Sequence, residues 1–119
     1  MADVATGPRV LILADDLIWA TRLADSVTAA GGQPERRRRL DDLAARAGEF
    51  VIVDLTARAY DGIAAVRAAA ASGARVVAVG QHDDRALREA AIDAGAEKVF
   101  TYRALFEAGP RVLGRWLGR

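Results

Sequence analysis

Three continuous apolar runs punctuate the chain: Val10-Leu11-Ile12-Leu13, Phe50-Val51-Ile52-Val53 and Val76-Val77-Ala78-Val79. Each predicts a buried strand, over 9–13, 50–54 and 75–79 respectively. A shorter strand is expected over 98–101, and a weakly signalled one within 35–39. Between the runs the apolar period changes. Ala20, Leu23, Ala24 and Val27 recur at helical spacing, which predicts a helix over 17–30, stopped by Gly31-Gly32. A second helix is expected over about 41–47, closed by Gly48. A third begins near Asp61, a suitable N-cap, and runs through an alanine-rich stretch to Ser72-Gly73. A fourth is capped by Asp83 or Asp84 and ends at Gly95. The last helix runs to Leu117, with a break near Gly109-Pro110, where proline opens a new turn. Strand and helix alternate five times, so the expected fold is α/β: one doubly wound, five-stranded parallel sheet. The short crossovers agree with the flavodoxin-like order 2-1-3-4-5.

Composition narrows the picture. The 119 residues suffice for one domain, expected over 9–119, with residues 1–8 as a short disordered arm. Apolar residues make up 52% of the chain, much of it alanine, which suits closely packed helices. Cysteine is absent, which excludes a disulfide framework, a thiolate metal site and a Cys nucleophile, and fits a reducing interior. No apolar run approaches the ~20 residues that span a bilayer. The first residues lack the blocks of a signal peptide, so a cytoplasmic location is expected. A net charge of +1 leaves no domain-wide footprint for nucleic acid. The first strand is followed by Ala14-Asp15-Asp16-Leu17, without glycine. That turn cannot admit a pyrophosphate, so neither a dinucleotide site nor a P-loop is present.

The candidate chemistry lies at the strand ends. The first strand ends in Asp15-Asp16 and the third in Asp54. In an open parallel sheet these ends line one crevice, where ligands bind. Three unpaired carboxylates would repel one another, so they suggest a divalent cation, a cationic partner, or the remnant of one. The plainer alternative is that Asp15 or Asp16 caps the first helix and Asp54 caps the following turn.

With these positions in place, the sequence resembles the receiver domain of bacterial response regulators, from about Arg9 to Leu117. Asp15-Asp16 stand at the family's acidic pair and Asp54-Leu55 at its phospho-acceptor. Asp61-Gly62 fall at the family spacing, and Gly95-Ala96-Glu97-Lys98-Val99-Phe100-Thr101 matches the segment before its Lys-Pro. The resemblance implies a Mg2+ site, at most weak here. Asp16 and Asp54 would bind through carboxylates, Thr56 through its carbonyl, and Asp15 through water. The departures are as informative. The family's lysine falls on Tyr102 and the following proline on Arg103. Its Ser/Thr falls on Gly80, its aromatic switch on Val99, and its loop proline on Arg58. The acid half of the site survives while the half that binds and reports the phosphoryl group does not, as in a degenerate pseudo-receiver. Forming an acyl phosphate demands positive charge near the phosphoryl oxygens. Tyr102 carries none, Gly80 has no hydroxyl, and Arg103 would face away if the strand continued.

The resemblance implies a stand-alone signalling domain that is not an enzyme. It would work by contact with a protein partner, either a kinase, an output protein or a second copy, independently of phosphorylation. The implied contact face comprises Arg85, Arg88, Glu89, Thr101, Tyr102, Arg103 and Trp116. Neither membrane nor nucleic acid is an expected partner. Two alternatives stand beside it. One is a phosphorylation-dependent single-domain regulator with Asp54 as acceptor. The other is a small-ligand binder or enzyme subunit using the crevice at Asp15, Asp16, Asp54, Gly80 and Tyr102.

The run Arg36-Arg37-Arg38-Arg39 reads either as a site for an anionic partner or as cationic protection of an edge strand, with Glu35, Asp41 and Asp42 available to neutralise it. Edge protection is the simpler account. Trp19 could wall the crevice or cover the core edge. His82 reads as a surface loop residue. Trp116, with Val112, Leu113 and Leu117, reads as the anchor of the last helix, and as a partner surface if exposed.

Overall fold

The computed structural model describes residues 7–81 and 83–118. Five strands form one sheet: β1 (Arg9–Leu13), β2 (Gln33–Arg37), β3 (Phe50–Asp54), β4 (Arg75–Gly80) and β5 (Val99–Thr101). Their order is β2-β1-β3-β4-β5 and all four ladders are parallel, as the alternating pattern predicts. Helices α1 (Leu17–Ala29) and α4 (Tyr102–Trp116) cover one face, α2 (Gly62–Ala71) and α3 (Arg85–Ala94) the other. Val10, Ile12, Ile52, Val77 and Val79 pack against Leu23, Val27, Leu105 and Leu113 on the first side. Leu11, Leu13, Val51, Val53, Val76 and Ala78 pack against Val66, Ala69 and Ala91 on the second. Because both faces are covered, the central strands read as unbroken apolar runs rather than as alternations.

β2 lies at the sheet edge and reads Gln-Pro-Glu-Arg-Arg, which explains its weak sequence signal. It starts two residues earlier than expected and ends at Arg37, so Arg38 and Arg39 lie in the connection that follows. Its start is set by Gln33, whose amide donates to the Pro8 carbonyl (2.8 Å) and whose side chain donates to that of Gly7 (2.6 Å). Gly7 and Pro8, expected in the disordered arm, are therefore tied to the sheet; the rest of that arm lies outside the described residues.

The helix expected over 41–47 does not form. A single 3-10 turn, Leu40–Asp42, takes its place, and Ala44 adopts a left-handed φ of 44°. So short a helix is marginal by itself and depends on tertiary packing for its stability. Here Leu40, Leu43 and Ala45 pack on the core in an irregular path, and Glu49 accepts from the Arg46 amide (2.8 Å). The break in the last helix falls where expected: Ala108 leaves helical geometry (φ −145°, ψ 29°) just before Gly109-Pro110.

Gly62, the first residue of α2, is required by close approach. A Cβ there would lie 2.8 Å from the Leu55 Cα and 2.9 Å from its carbonyl oxygen. Leu55 cannot retreat, since its side chain is buried and its amide donates to Val79 (2.9 Å). Gly62→Ala is expected to cost about 1–3 kcal/mol by urea denaturation. Gly114 inside α4 is the control. An added Cβ meets only Ala30 at 3.9 Å, so Gly114→Ala should be stabilising by about 0.5–1 kcal/mol.

Candidate functional site

The carboxyl ends of β1, β3 and β4 open on a broad depression of about 680 Å³ lined by Asp15, Asp16, Trp19, Asp54, Thr56, Arg58, Gln81 and Tyr102. All three sequence-predicted acids reach it, but each carboxylate is already engaged. Asp16 caps α1, its Oδ1 accepting from the amides of Ile18 (2.9 Å) and Trp19 (3.1 Å). Asp15 Oδ2 accepts from the amides of Arg58 (2.8 Å) and Ala59 (2.9 Å), which anchors the loop after β3 to the end of β1. Asp61 caps α2 through the amides of Ile63 and Ala64.

Asp54 is the most enclosed of the three, at 2% exposure. Its Oδ1 accepts from the amide (3.1 Å) and hydroxyl (3.0 Å) of Thr56. The hydroxyl of Tyr102 donates to the same oxygen and also touches Thr56 Oγ1. No basic side chain pairs with Asp54 among the described residues.

Tyr102 reaches Asp54 because β5 stops at Thr101. Thr101 caps α4, accepting from the Ala104 amide (3.0 Å), so Tyr102 becomes the first helical residue. Trp19 packs on its ring at 4.6 Å between centroids. Trp19 thus walls the crevice and braces Tyr102.

The three acids line one depression, each held by its own donors. Among the described residues no group of three acidic, histidine or cysteine side chains is placed to hold a metal. Backbone amides and hydroxyls engage one oxygen of each carboxylate, which offsets part of the repulsion among them. Thr56 contributes its amide and hydroxyl to Asp54.

Nothing in the residue pattern points to the role of Tyr60. Its hydroxyl lies 2.8 Å from both the Leu13 and Asp54 carbonyls, clasping the ends of β1 and β3. Burial raises its phenol pKa well above the ordinary value of 10.0, helped by the charges of Asp54 and Asp15. Tyr102 is raised too, first by burial and then by its hydrogen bond to Asp54. Both therefore remain donors at any physiological pH.

A pKa raised on folding contributes stability that is complete below the unfolded value and lost as pH climbs past it. Stability should accordingly hold at neutral pH and fall above about pH 10. Tyr60 and Tyr102 are the chain's only tyrosines, so tyrosinate absorbance reads both. It should rise only together with loss of the far-UV circular dichroism signal. A tyrosinate signal from folded protein would contradict the two contacts.

The remaining positions are dispersed. Gly80 is buried at the end of β4, where a Cβ would make an ordinary 3.4 Å contact with Leu55 Cδ1. Val99 is half-buried against the α2–α3 side of the core. Arg103 lies on α4 rather than on a continued strand, exposed and paired with Glu107 (3.1 Å). Arg85 and Glu89 are exposed on α3, and Arg88 is half-buried. Trp116 does not belong to a contact face. It is 9% exposed and meets Phe50 edge-on at 5.0 Å, in the place of a core anchor. His82 lies outside the described residues.

No protein-family model and no curated protein sequence matches the chain. Solved structures do. The BeF3-activated DrrB receiver domain superposes with a TM-score of 0.77 at 16% identity, over 96% of this chain and all of that one (100%). A CheY-like response regulator receiver domain from Methanospirillum hungatei JF-1 gives 0.74 at 19%, over 95% of each chain. A Burkholderia pseudomallei response regulator, solved with a phosphorylated aspartic acid, a calcium ion and citrate, gives 0.71 at 18%, over 93% of this chain and 71% of that one. Likeness at such identities speaks for architecture: the chain has the fold of response regulator receiver domains, the five-stranded flavodoxin-like sheet with its acids at the carboxyl ends of β1 and β3.

Proposed function

We propose that the chain is a receiver-like signalling domain that acts by protein–protein contact, with its acceptor position held shut by Tyr102. The observation that carries this reading is the Tyr102 hydroxyl seated on Asp54 Oδ1 and Thr56 Oγ1. Phosphoryl transfer needs a cation beside Asp54, and no basic side chain among the described residues pairs with it. Here its Oδ1 is hydrogen-bonded to a neutral phenol that is braced by Trp19.

Mg2+ is a weak ligand in this reading, because a cation has to win Asp54 from Tyr102 and Thr56. The domain spans 9–119, is not an enzyme, and contacts a kinase or output protein, or a second copy, through Arg85, Arg88, Glu89, Thr101 and Arg103. A cytoplasmic location belongs to the same proposal; no helix among the described residues is long and apolar enough to cross a membrane.

Exposure to acetyl phosphate with Mg2+, followed by intact-mass measurement, tests the reading. The chain should take up no phosphoryl group at Asp54. Rapid, Mg2+-dependent uptake there would replace it with the phosphorylation-dependent regulator.

A further inference from the structure

The arginine run lies on the far side of β1 from Tyr102 and is not used at Asp54. Of its four side chains only Arg37 is spent internally. Its guanidinium donates to the carbonyls of Asp42 and Arg36 (both 2.9 Å) and to Glu35 Oε1 (3.2 Å). Arg36, Arg38 and Arg39 are exposed, and their guanidinium groups enter no hydrogen bond or ion pair among the described residues. The neutralisation expected from Asp41 and Asp42 is not made either: neither carboxylate pairs with the run, and Asp42 contributes only its carbonyl.

These cations border two adjoining depressions. One, of about 510 Å³, is lined by the four arginines with Asp15, Asp42 and Ala59. The other, of about 370 Å³, has Ala14, Leu17 and Ala20 as its floor and Arg36, Arg38 and Asp15 at its rim. Leu17 and its neighbour Ile18 are 71% and 69% exposed, at the start of α1. Protecting an edge strand requires charge alone. It does not account for two exposed aliphatic side chains beside unpaired guanidinium groups, a combination that marks a contact surface.

We propose that this surface, between β2 and the start of α1, docks an acidic and aliphatic segment of a partner protein. Carboxylates would be received by Arg36, Arg38 and Arg39, whose planar forks match carboxylate geometry. Aliphatic side chains would cover Leu17 and the apolar floor. A nucleic acid fits less well. Asp15 and Asp42 sit in the same rim and repel phosphate, and an aliphatic floor offers bases no stacking partner. The surface meets the Asp54 depression only at Asp15, which it does not use for binding, so its failure leaves the proposed function standing.

The test is a random-peptide display selection on the full chain, with the best peptides remeasured by fluorescence anisotropy. Enrichment of sequences mixing Asp or Glu with Leu, Ile or Val is expected. Affinity should fall about tenfold or more in Arg36→Glu/Arg38→Glu, and fall with added salt. Leu17→Ser should weaken binding while leaving its salt dependence unchanged. Arg37 is left intact, and unchanged melting of each variant guards against loss of folding. Selection of no such sequences, or equal binding to the arginine variant, overturns the proposal. So does tighter binding of a single-stranded oligonucleotide through the same arginines, which would assign the surface to nucleic acid.

Discussion

Tyr102→Lys combined with Gly80→Thr should label at Asp54 with acetyl phosphate far faster than the unmodified chain, for which no uptake is expected. Three changes act together. Removing the phenol takes one of three donors from Asp54 Oδ1, leaving the amide and hydroxyl of Thr56. Lysine at the first residue of α4 brings an ammonium to the place the hydroxyl occupied, and the charge that develops on the phosphoryl oxygens then has a cation. Threonine at position 80 supplies a hydroxyl at the end of β4, one residue past the partner of Asp54 in the β3–β4 ladder. Its Cβ fits, since the nearest atom is Leu55 Cδ1 at 3.4 Å.

Loss of a single such electrostatic contact typically costs about 10²–10³ in rate, so a gain on the order of 10² in labelling is expected. Asp54→Asn in the same background must abolish it. Tyr102→Phe alone separates the two causes: it opens the carboxylate without adding charge, and should label no better than the unmodified chain if the missing cation is limiting. A folded double variant that stays unlabelled would show that more than these two residues has been lost.

Trp116→Ala should destabilise the chain by about 3–5 kcal/mol, a large share of the ~5–15 kcal/mol that holds a typical domain together. The indole is 9% exposed, stands edge-on to Phe50 at 5.0 Å, and shares its cluster with Leu113, Leu117 and Val10. Truncation leaves a cavity between the end of α4 and the start of β3, where the backbone can only partly collapse. Urea denaturation reads the effect as a lower midpoint with an unchanged slope. The indole N–H has no well-formed hydrogen bond, so Trp116→Phe should cost far less than the alanine variant. A partner-facing tryptophan would behave oppositely: its loss would shift stability by no more than about 0.5 kcal/mol and appear only in binding.

The architecture was legible from the pattern of apolar positions because covering both faces of a parallel sheet leaves a distinctive mark. β1, β3 and β4 are buried on two sides, so their runs are unbroken and their positions unambiguous. The cap at Asp61, the placing of the next cap at Asp83 or Asp84 (it is Asp84), and the break at Gly109-Pro110 were legible for a similar reason: each depends on local backbone chemistry. Edge and connection were harder. β2 carries one half-covered, charged strand, and the segment after it follows Leu40 and Leu43 into the core rather than its own helical preference.

At the site, the sequence by itself determined which groups are present: three carboxylates at two strand ends, with a tyrosine after the fifth strand and a glycine at the end of the fourth. It could not determine what those carboxylates do. Asp15 turns to amides 43 and 44 residues away, and Asp54 receives a hydroxyl 48 residues away. Such contacts exist only once β1, β3 and β5 lie in one sheet and α4 begins exactly one residue after β5 ends. Whether neighbouring acids gather a cation or are shared out among backbone donors depends on where those donors arrive. That is decided by the tertiary path of the loops, which no residue spacing encodes.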